Sequence, residues 1–246
     1  EKSSFRVSMP RNAELRYYEQ NFPVTAKIQP GNNERIYTWE VADLTPLKWE
    51  PYDPPVMEYA PAVFLAPANF ELDGYKGNAE SWENFGKWIS LLNKDRNELP
   101  KETEAVIKEL VKECETDAEK VKKIYTWMQN NTRYVSVQLG IGGFQPYGAE
   151  VVDRLKYGDC KALSNYTKTL LQAAGIPSYY TVIRAGSHAP RILTHFPAAQ
   201  FNHAILCVPL QNDTLWLECT SQINPCGFLG DFTDDRDALL ITDEGG

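Results

Sequence analysis

The sequence predicts an α+β fold in which helices pack on an antiparallel sheet and a β-rich segment comes first. Three observations lead to this prediction. Residues 1–45 are rich in β-branched and aromatic residues between Pro, Asn and Gly turns. Residues 78–128 repeat apolar side chains at helical spacing, and residues 178–220 return to strand patterns. Strands and helices thus occur in separate runs, which favours α+β over an alternating α/β arrangement.

The composition is that of a globular chain large enough to bury a core. The 246 residues are 43% hydrophobic and 24% charged, with a net charge of −8. The negative charge argues against a nucleic-acid partner. No apolar run reaches the roughly 18 residues of a membrane span, so no transmembrane segment is expected. Because the sequence begins at Glu1 without Met, we expect it to be part of a longer protein.

Residues 1–60 are predicted to be the C-terminal part of a β-sandwich domain together with a stiff connector. The four strand patterns are "FRVSM", "ELRYYEQ", "TAKIQ" and "ERIYTWEVADL". The connector is rich in proline, which favours extended chain, at positions 51, 54, 55 and 61. We therefore place the domain boundary here, and residues 61–246 form the predicted core domain.

Three helices are predicted to follow the connector. Asn78 can cap the first, whose apolar stripe includes Trp82, Phe85 and Trp88. The second spans about Glu102 to Cys114. The third is capped by Thr116 or Asp117. A Gly-rich loop over residues 141–159 then leads to another helix.

Cys160 lies at the start of that next helix. Gly175 and Pro177 end the helix, and Gly158 and Asp159 break the chain before it. Free backbone N–H groups and the positive end of the helix dipole meet at the first turn. That setting favours a reactive thiolate, although a free cysteine often only fills a core.

The five cysteines leave at least one thiol unpaired within the chain, because five is odd. No C-x-x-C pattern occurs, which argues against zinc-finger and thioredoxin-type sites. Cys219 and Cys226 are close in sequence and could pair in an oxidising compartment; the sequence leaves this open.

A histidine and an acid are predicted to meet on two neighbouring strands. If Gln211 and Asn212 form the centre of a tight turn, His203 faces Thr220 across an antiparallel pair, and Glu218 lies diagonally on the same face. A carboxylate in that position can orient the imidazole toward a thiol. A three-residue loop would instead move Glu218 to the opposite face.

The blocks "YGDCKALSNYTKTLLQAAGIPSYYTVI", "FNHAILCVPL" and "LWLECT" resemble the core of the transglutaminase-like superfamily. The resemblance extends to bacterial proteins in which a β domain of unknown function precedes this core. It implies a papain-like fold with Cys160 as nucleophile, His203 as general base and acid, and Glu218 as the third member. It implies a peptide or protein substrate and no cofactor. It also points to the bacterial cell envelope, periplasmic or secreted, with an envelope partner.

The sequence departs from the usual family pattern at three places. Glu218 replaces the usual Asp, Cys219 stands where Pro is typical, and Ala162 stands where an acid is common. Gln145, in "GGFQP", is our predicted second oxyanion donor beside the Cys160 backbone N–H.

Three functions are compatible with these residues. The first is a thiol enzyme that hydrolyses a peptide or amide bond, or transfers the acyl group to an amine as transglutaminases do. The second is a papain-like scaffold that binds peptides or partner proteins with little turnover. The third is a metal site built from Cys160, His203 and Glu218, which lacks ligand-type spacing. The loop from Gly186 to Gln200 is expected to edge the cleft.

Overall fold

The computed structural model describes residues 2–48 and 50–246, so Glu1 and Trp49 lie outside the described residues. The helices, in chain order, are α1 (Val56–Tyr59), α2 (Trp82–Asn93), α3 (Lys101–Val111), α4 (Asp117–Asn131), α5 (Ala149–Leu155), α6 (Cys160–Ala173) and α7 (Gly230–Thr233). The first nine strands are β1 (Lys2–Pro10), β2 (Leu15–Gln20), β3 (Lys27–Pro30), β4 (Glu34–Ala42), β5 (Ala62–Pro67), β6 (Asn69–Leu72), β7 (Tyr75–Asn78), β8 (Arg133–Tyr134) and β9 (Tyr157–Gly158). The last four are β10 (Tyr179–Ile183), β11 (His203–Pro209), β12 (Thr214–Leu217) and β13 (Ala238–Ile241).

The core is a four-stranded antiparallel sheet in the order β12-β11-β10-β13, with helices packed on it. Helix α6 crosses the sheet, and its Ser164 hydroxyl donates to the Ala204 carbonyl of β11 at 3.1 Å. The fully buried side chains of Tyr166, Leu170 and Leu206 lie between helix and sheet. This arrangement confirms the predicted α+β class.

Strands β11 and β12 pair in the predicted register. Leu206 faces Leu217 and Pro209 faces Thr214. The Leu210 N–H donates to the Asp213 carbonyl at 2.8 Å, which closes the tight turn. Glu218 therefore leaves β12 on the side that the two-residue turn predicts.

The N-terminal segment forms two small sheets. One has the order β1-β4-β3, and the other pairs β2 with β5. Tyr17 of β2 packs edge-on against Tyr37 and Trp39 of β4, at centroid distances of 5.9 and 5.4 Å. Strand β2, which precedes residue 60, pairs with β5, which follows it. The domain boundary placed near residue 60 stays a prediction.

Two local expectations differ from the structure. The cap of α2 is Ser81, whose hydroxyl accepts from the Asn84 N–H at 3.1 Å. The predicted cap, Asn78, instead ends β7, where its side chain donates to Asn69. Helix α3 ends at Val111, before Cys114. Strands β5, β6, β7, β9 and β13 had no sequence prediction.

The N-terminal strands are attached to the loop that precedes β11. The half-buried guanidinium of Arg16 on β2 donates to the carbonyl oxygens of Ala79 and Pro197. It also lies 5.0 Å from the centre of the Phe196 ring, and Tyr18 packs edge-on to His195 at 4.5 Å. One arginine thereby fixes this loop to the segment before α2.

Within residues 2–48 and 50–246, no helix is both long and apolar enough to cross a bilayer.

Arg16→Met should lower the free energy of unfolding by about 2 kcal/mol, because two charge-assisted hydrogen bonds to carbonyl groups are lost while the apolar stem stays. Arg11→Met is the matched control: the exposed guanidinium of Arg11 donates to the Gly31 carbonyl at 3.1 Å, and we expect a change below about 0.5 kcal/mol. Urea unfolding of both variants measures the effect. Equal losses would contradict the role of Arg16.

Candidate active site

Cys160 is the first residue of α6, as predicted from the capping pattern. The Asp159 carboxylate caps the helix by accepting from the Ala162 N–H at 2.9 Å, and it also pairs with the Lys161 ammonium. A Cβ at Gly158 would lie 2.8 Å from the Ala162 Cβ, so the chain enters the helix too closely for a side chain there. Only 3% of Cys160 is exposed, on the wall of a cleft.

His203 links the thiol to the acid. Its Nε2 lies 2.8 Å from Oε2 of Glu218, and 8% of its side chain is exposed. The Cys160 side chain lies close enough to the same imidazole to raise its pKa, and both side chains line one cleft. Since Nε2 is used by Glu218, Nδ1 is the nitrogen left for the thiol. The structure thus brings Cys160, His203 and Glu218 together in one chain of contacts.

The Glu218 carboxylate is held on both of its oxygens. Oε1 accepts from the Thr220 N–H at 2.8 Å and from the Thr220 hydroxyl, while Oε2 faces His203. The backbone is fixed as well, because the Tyr125 hydroxyl of α4 donates to the Glu218 carbonyl at 2.6 Å. The longer glutamate side chain is therefore anchored rather than free to rotate.

The pairing of His203 with Glu218 shifts the pKa of both side chains. Burial alone would lower the pKa of His203, but its hydrogen bonds to Cys160 and Glu218 and their charges outweigh burial and raise the pKa to about 9. Burial raises the pKa of Glu218, yet its contacts with His203 and Thr220 outweigh that effect, and the pKa is lowered. The arrangement therefore favours an imidazolium beside a carboxylate near neutral pH.

The cleft at Cys160 has a volume of about 340 Å³. Apolar side chains form most of its wall, which is typical of sites that bind organic ligands. Its lining residues are Phe85, Ile89, Gln138, Gly143, Phe144, Cys160, Lys161, Tyr180, Val182, Ala199, Phe201, Asn202, His203 and Ala204. The loop before β11 contributes Ala199 to this wall.

Gln145 does not line the cleft. Its side-chain amide donates to the Tyr75 hydroxyl and to the Leu92 carbonyl, both at 3.2 Å. Both amide hydrogens are therefore engaged in holding the Gly-rich loop to α2 and β7. The structure does not bring this predicted oxyanion donor to Cys160.

Gln138 and Asn202 are the side-chain amides that do line the cleft. Asn202 is engaged, since its amide bridges the N–H and carbonyl of Ala185 at 2.7 and 3.0 Å. Gln138 is exposed and precedes the turn at Gly140. The sequence analysis missed Gln138; its place at the end of "RYVSVQ", just before the Gly-rich turn, is the signal that could have found it.

All five cysteines have free thiols. Burial raises the pKa of Cys219 to about 12 and that of Cys226 to about 11, and it also raises the pKa of Cys207. The Cys219–Cys226 pair that the sequence left open is thus reduced here.

In the part of the chain that the structure describes, no three His, Cys, Asp or Glu side chains converge as a metal site would require.

One family model matches the part of the chain that holds these residues. Residues 104–220 match the family model of the transglutaminase-like superfamily. The chain therefore carries a transglutaminase-like domain, and Cys160, His203 and Glu218 all lie inside it. No curated protein matches the sequence.

One solved bacterial structure shares the fold, and others match at lower similarity. A candidate protease from Parabacteroides distasonis ATCC 8503 is 16% identical, with a TM-score of 0.66; the alignment covers 91% of this chain and 40% of that one. This chain therefore spans about two fifths of that protein. A candidate cysteine protease from Cytophaga hutchinsonii is 14% identical over 98% of this chain and 83% of that one, with a TM-score of 0.41. The periplasmic domain of TgpA from Pseudomonas aeruginosa is 14% identical over 91% and 71%, with a TM-score of 0.34.

The His203–Glu218 pair predicts a pH-dependent stability. The pKa of His203 in the folded protein, about 9, is above its usual 6.5. The contribution of His203 to the free energy of unfolding is therefore complete below pH 6.5 and is lost as pH rises through 9. Because the pKa of Glu218 is lowered, its contribution to the free energy of unfolding is complete above pH 4.5 and is lost in more acidic solution. Both contributions are complete between pH 4.5 and pH 6.5.

His203→Gln should remove the alkaline part of this dependence. The difference in unfolding free energy between the wild type and this variant should shrink by up to roughly 3 kcal/mol between pH 6 and pH 10. Urea unfolding at several pH values measures it, and His188→Gln, which removes an exposed histidine outside the cleft, is the matched control. A difference that grows with pH would show that the sign is wrong.

Proposed function

We propose that this protein is a thiol-dependent acyl-transfer enzyme that hydrolyses a peptide or amide bond through an acyl intermediate on Cys160. The observation that carries the proposal is that Cys160 and His203 line one cleft, with Nε2 of His203 2.8 Å from Oε2 of Glu218. A nucleophile at a helix start, a base in hydrogen-bond reach and an acid that orients the base are the parts this chemistry needs.

The proposed reaction proceeds in two halves. The proton of the Cys160 thiol moves to His203, and the thiolate attacks the carbonyl carbon of the substrate. His203 then gives that proton to the amine as the carbon–nitrogen bond breaks, which leaves a thioester on Cys160. In the second half His203 takes a proton from water, the hydroxide attacks the thioester, and the thiolate leaves. Glu218 keeps the ring oriented and stabilises its positive charge.

The tetrahedral intermediates need donors for a negatively charged oxygen. The Cys160 N–H at the start of α6 is one donor, since the first N–H groups of a helix have no partner inside it. We propose the Gln138 amide as the second, because it lines the same cleft. Lys161 also lines the cleft, but its ammonium is paired with Asp159.

A peptide or protein is the proposed substrate, because the cleft beside the thiol has a mostly apolar wall and its volume fits a side chain together with its peptide group. Hydrolysis is favoured over transfer to a second amine because water is abundant. A location in the bacterial cell envelope, and a partner there, stay predictions that rest on the resemblance alone.

Iodoacetamide at pH 6 should label Cys160 faster than the other four cysteines. Cys160 lines the cleft beside an imidazole that can take its proton, whereas burial raises the pKa of Cys207, Cys219 and Cys226. Peptide mapping by mass spectrometry measures the rates, and half-buried Cys114 is the internal reference.

His203→Ala should remove this advantage of Cys160, and Glu218→Gln should reduce it. Equal labelling of Cys160 and Cys114 in the wild type would instead favour a binding scaffold with a papain-like fold and little turnover.

Gln138 and Gln145 give a second test of the mechanism. Gln138→Ala should lower kcat by roughly 100-fold with little change in the unfolding midpoint, as expected for an oxyanion donor. Gln145→Ala should lower the unfolding midpoint, because it removes bonds to Tyr75 and Leu92, and should affect kcat less. Hydrolysis of a peptide ester or amide measures both, and the opposite pattern would assign the oxyanion role to Gln145.

A further inference from the structure

A second cavity adjoins the Cys160 cleft on the side of the N-terminal strands. We call it the apolar cavity; its volume is about 250 Å³. Its lining residues are Ala66, Pro67, Phe70, Glu71, Leu72, Ala79, Phe85, Trp88, Phe144, Ala198 and Ala199. Most of them belong to residues 66–88, which precede the transglutaminase-like domain at 104–220. The apolar cavity is therefore supplied largely by a part of the chain that the family match does not cover.

The apolar cavity and the Cys160 cleft share three wall residues, namely Phe85, Phe144 and Ala199. Phe144 is 39% exposed, and its ring packs edge-on against Trp88 at a centroid distance of 5.3 Å. Ala199 is also exposed and adds only a methyl group to the wall. A ligand whose carbonyl group lies at Cys160 can therefore continue into the apolar cavity along these three residues.

The floor of the apolar cavity depends on Gly77 of β7. A Cβ at this position would lie 2.4 Å from the end of the Phe70 ring and 2.9 Å from Trp88. Because the glycine has no side chain, Phe70 and Trp88 can both approach the strand closely and pack edge-on to each other at 4.9 Å. The space above them stays open.

The chemistry of the wall defines the ligand group. Among the described residues that line the apolar cavity, Glu71 is the only charged one, and it is exposed at the rim. An apolar cavity of about 150 Å³ is already large enough to bind benzene. A volume of 250 Å³ therefore accommodates an aromatic or leucine-sized side chain, and charge repulsion from Glu71 would disfavour an acidic one.

We propose that the apolar cavity binds a large hydrophobic side chain of the peptide whose carbonyl group is attacked at Cys160. This inference rests on the proposed function and narrows its substrates to peptides with a hydrophobic residue near the attacked bond. It assigns to residues 66–88 a role in substrate selection in addition to their structural one.

Peptide binding to the Cys160→Ala protein tests the proposal without requiring turnover. The probes are short fluorescent peptides in which a single Phe is moved through an Ala-Gly-Ser background. At one position Phe should bind at least about 10-fold more tightly than Gly, as burial of a phenyl ring implies. Fluorescence polarisation measures the affinities.

Two variants identify the cavity that takes the ring. Pro67→Trp fills the apolar cavity from an exposed position, and Leu72→Ala removes part of its wall; neither residue lines the Cys160 cleft. Both should reduce the preference for Phe while changing the affinity of the Gly peptide much less. The matched controls are Ala118→Trp and Leu91→Ala, exposed positions on α4 and α2 that do not line either cavity, and they should keep the preference.

The outcomes separate this inference from the proposed function. A preference for Phe that survives Pro67→Trp and Leu72→Ala, equal binding of Phe and Gly peptides, or no binding at all would overturn the role of the apolar cavity. Slow labelling of Cys160 together with a Phe preference that these variants abolish would overturn the reaction and retain the binding site.

Discussion

The hydrogen bond between the buried carboxylate of Glu218 and the imidazole of His203 is the interaction on which the site depends. A charged group out of water costs several kcal/mol unless it is paired and hydrogen-bonded. Here the carboxylate is satisfied by His203 and Thr220, and Tyr125 fixes the backbone behind it. Strand β11, the chain after β12 and helix α4 are thus held together at one residue. Since His203 lines the same cleft as Cys160 on α6, Glu218 also fixes the imidazole at the junction of that helix and the sheet.

Much of this geometry is encoded locally, which is why the sequence could predict it. Helix α6 starts at Cys160 because Asp159 supplies a cap and Gly158 permits the close entry of the chain. The relation between His203 and Glu218 follows from the length of one turn, because strand side chains alternate with a period of two. A turn centred on Gln211 and Asn212 was sufficient to place the acid on the face of the histidine.

The features that the sequence could not predict depend on partners far along the chain. Gln145 is engaged by Tyr75 and Leu92, which lie 70 and 53 positions away, and no local pattern distinguishes it from Gln138. Strand β13 is a short apolar run that becomes a strand only because β10 offers it an edge. Asn78 and Ser81 are both good caps in isolation, and the pairing of β7 with β6 decides between them.

The position of β13 has a practical consequence for anyone who would trim this protein to its family segment. A fragment limited to residues 104–220 would lack β13 and expose the edge of β10, with its buried residues Tyr180 and Val182. Bare apolar edges of this kind recruit strands from other molecules. The fragment would also lose α2, which supplies Phe85 and Ile89 to the cleft. We expect such a fragment to self-associate when it is expressed alone, so the smallest useful unit is larger than the segment that defines the family.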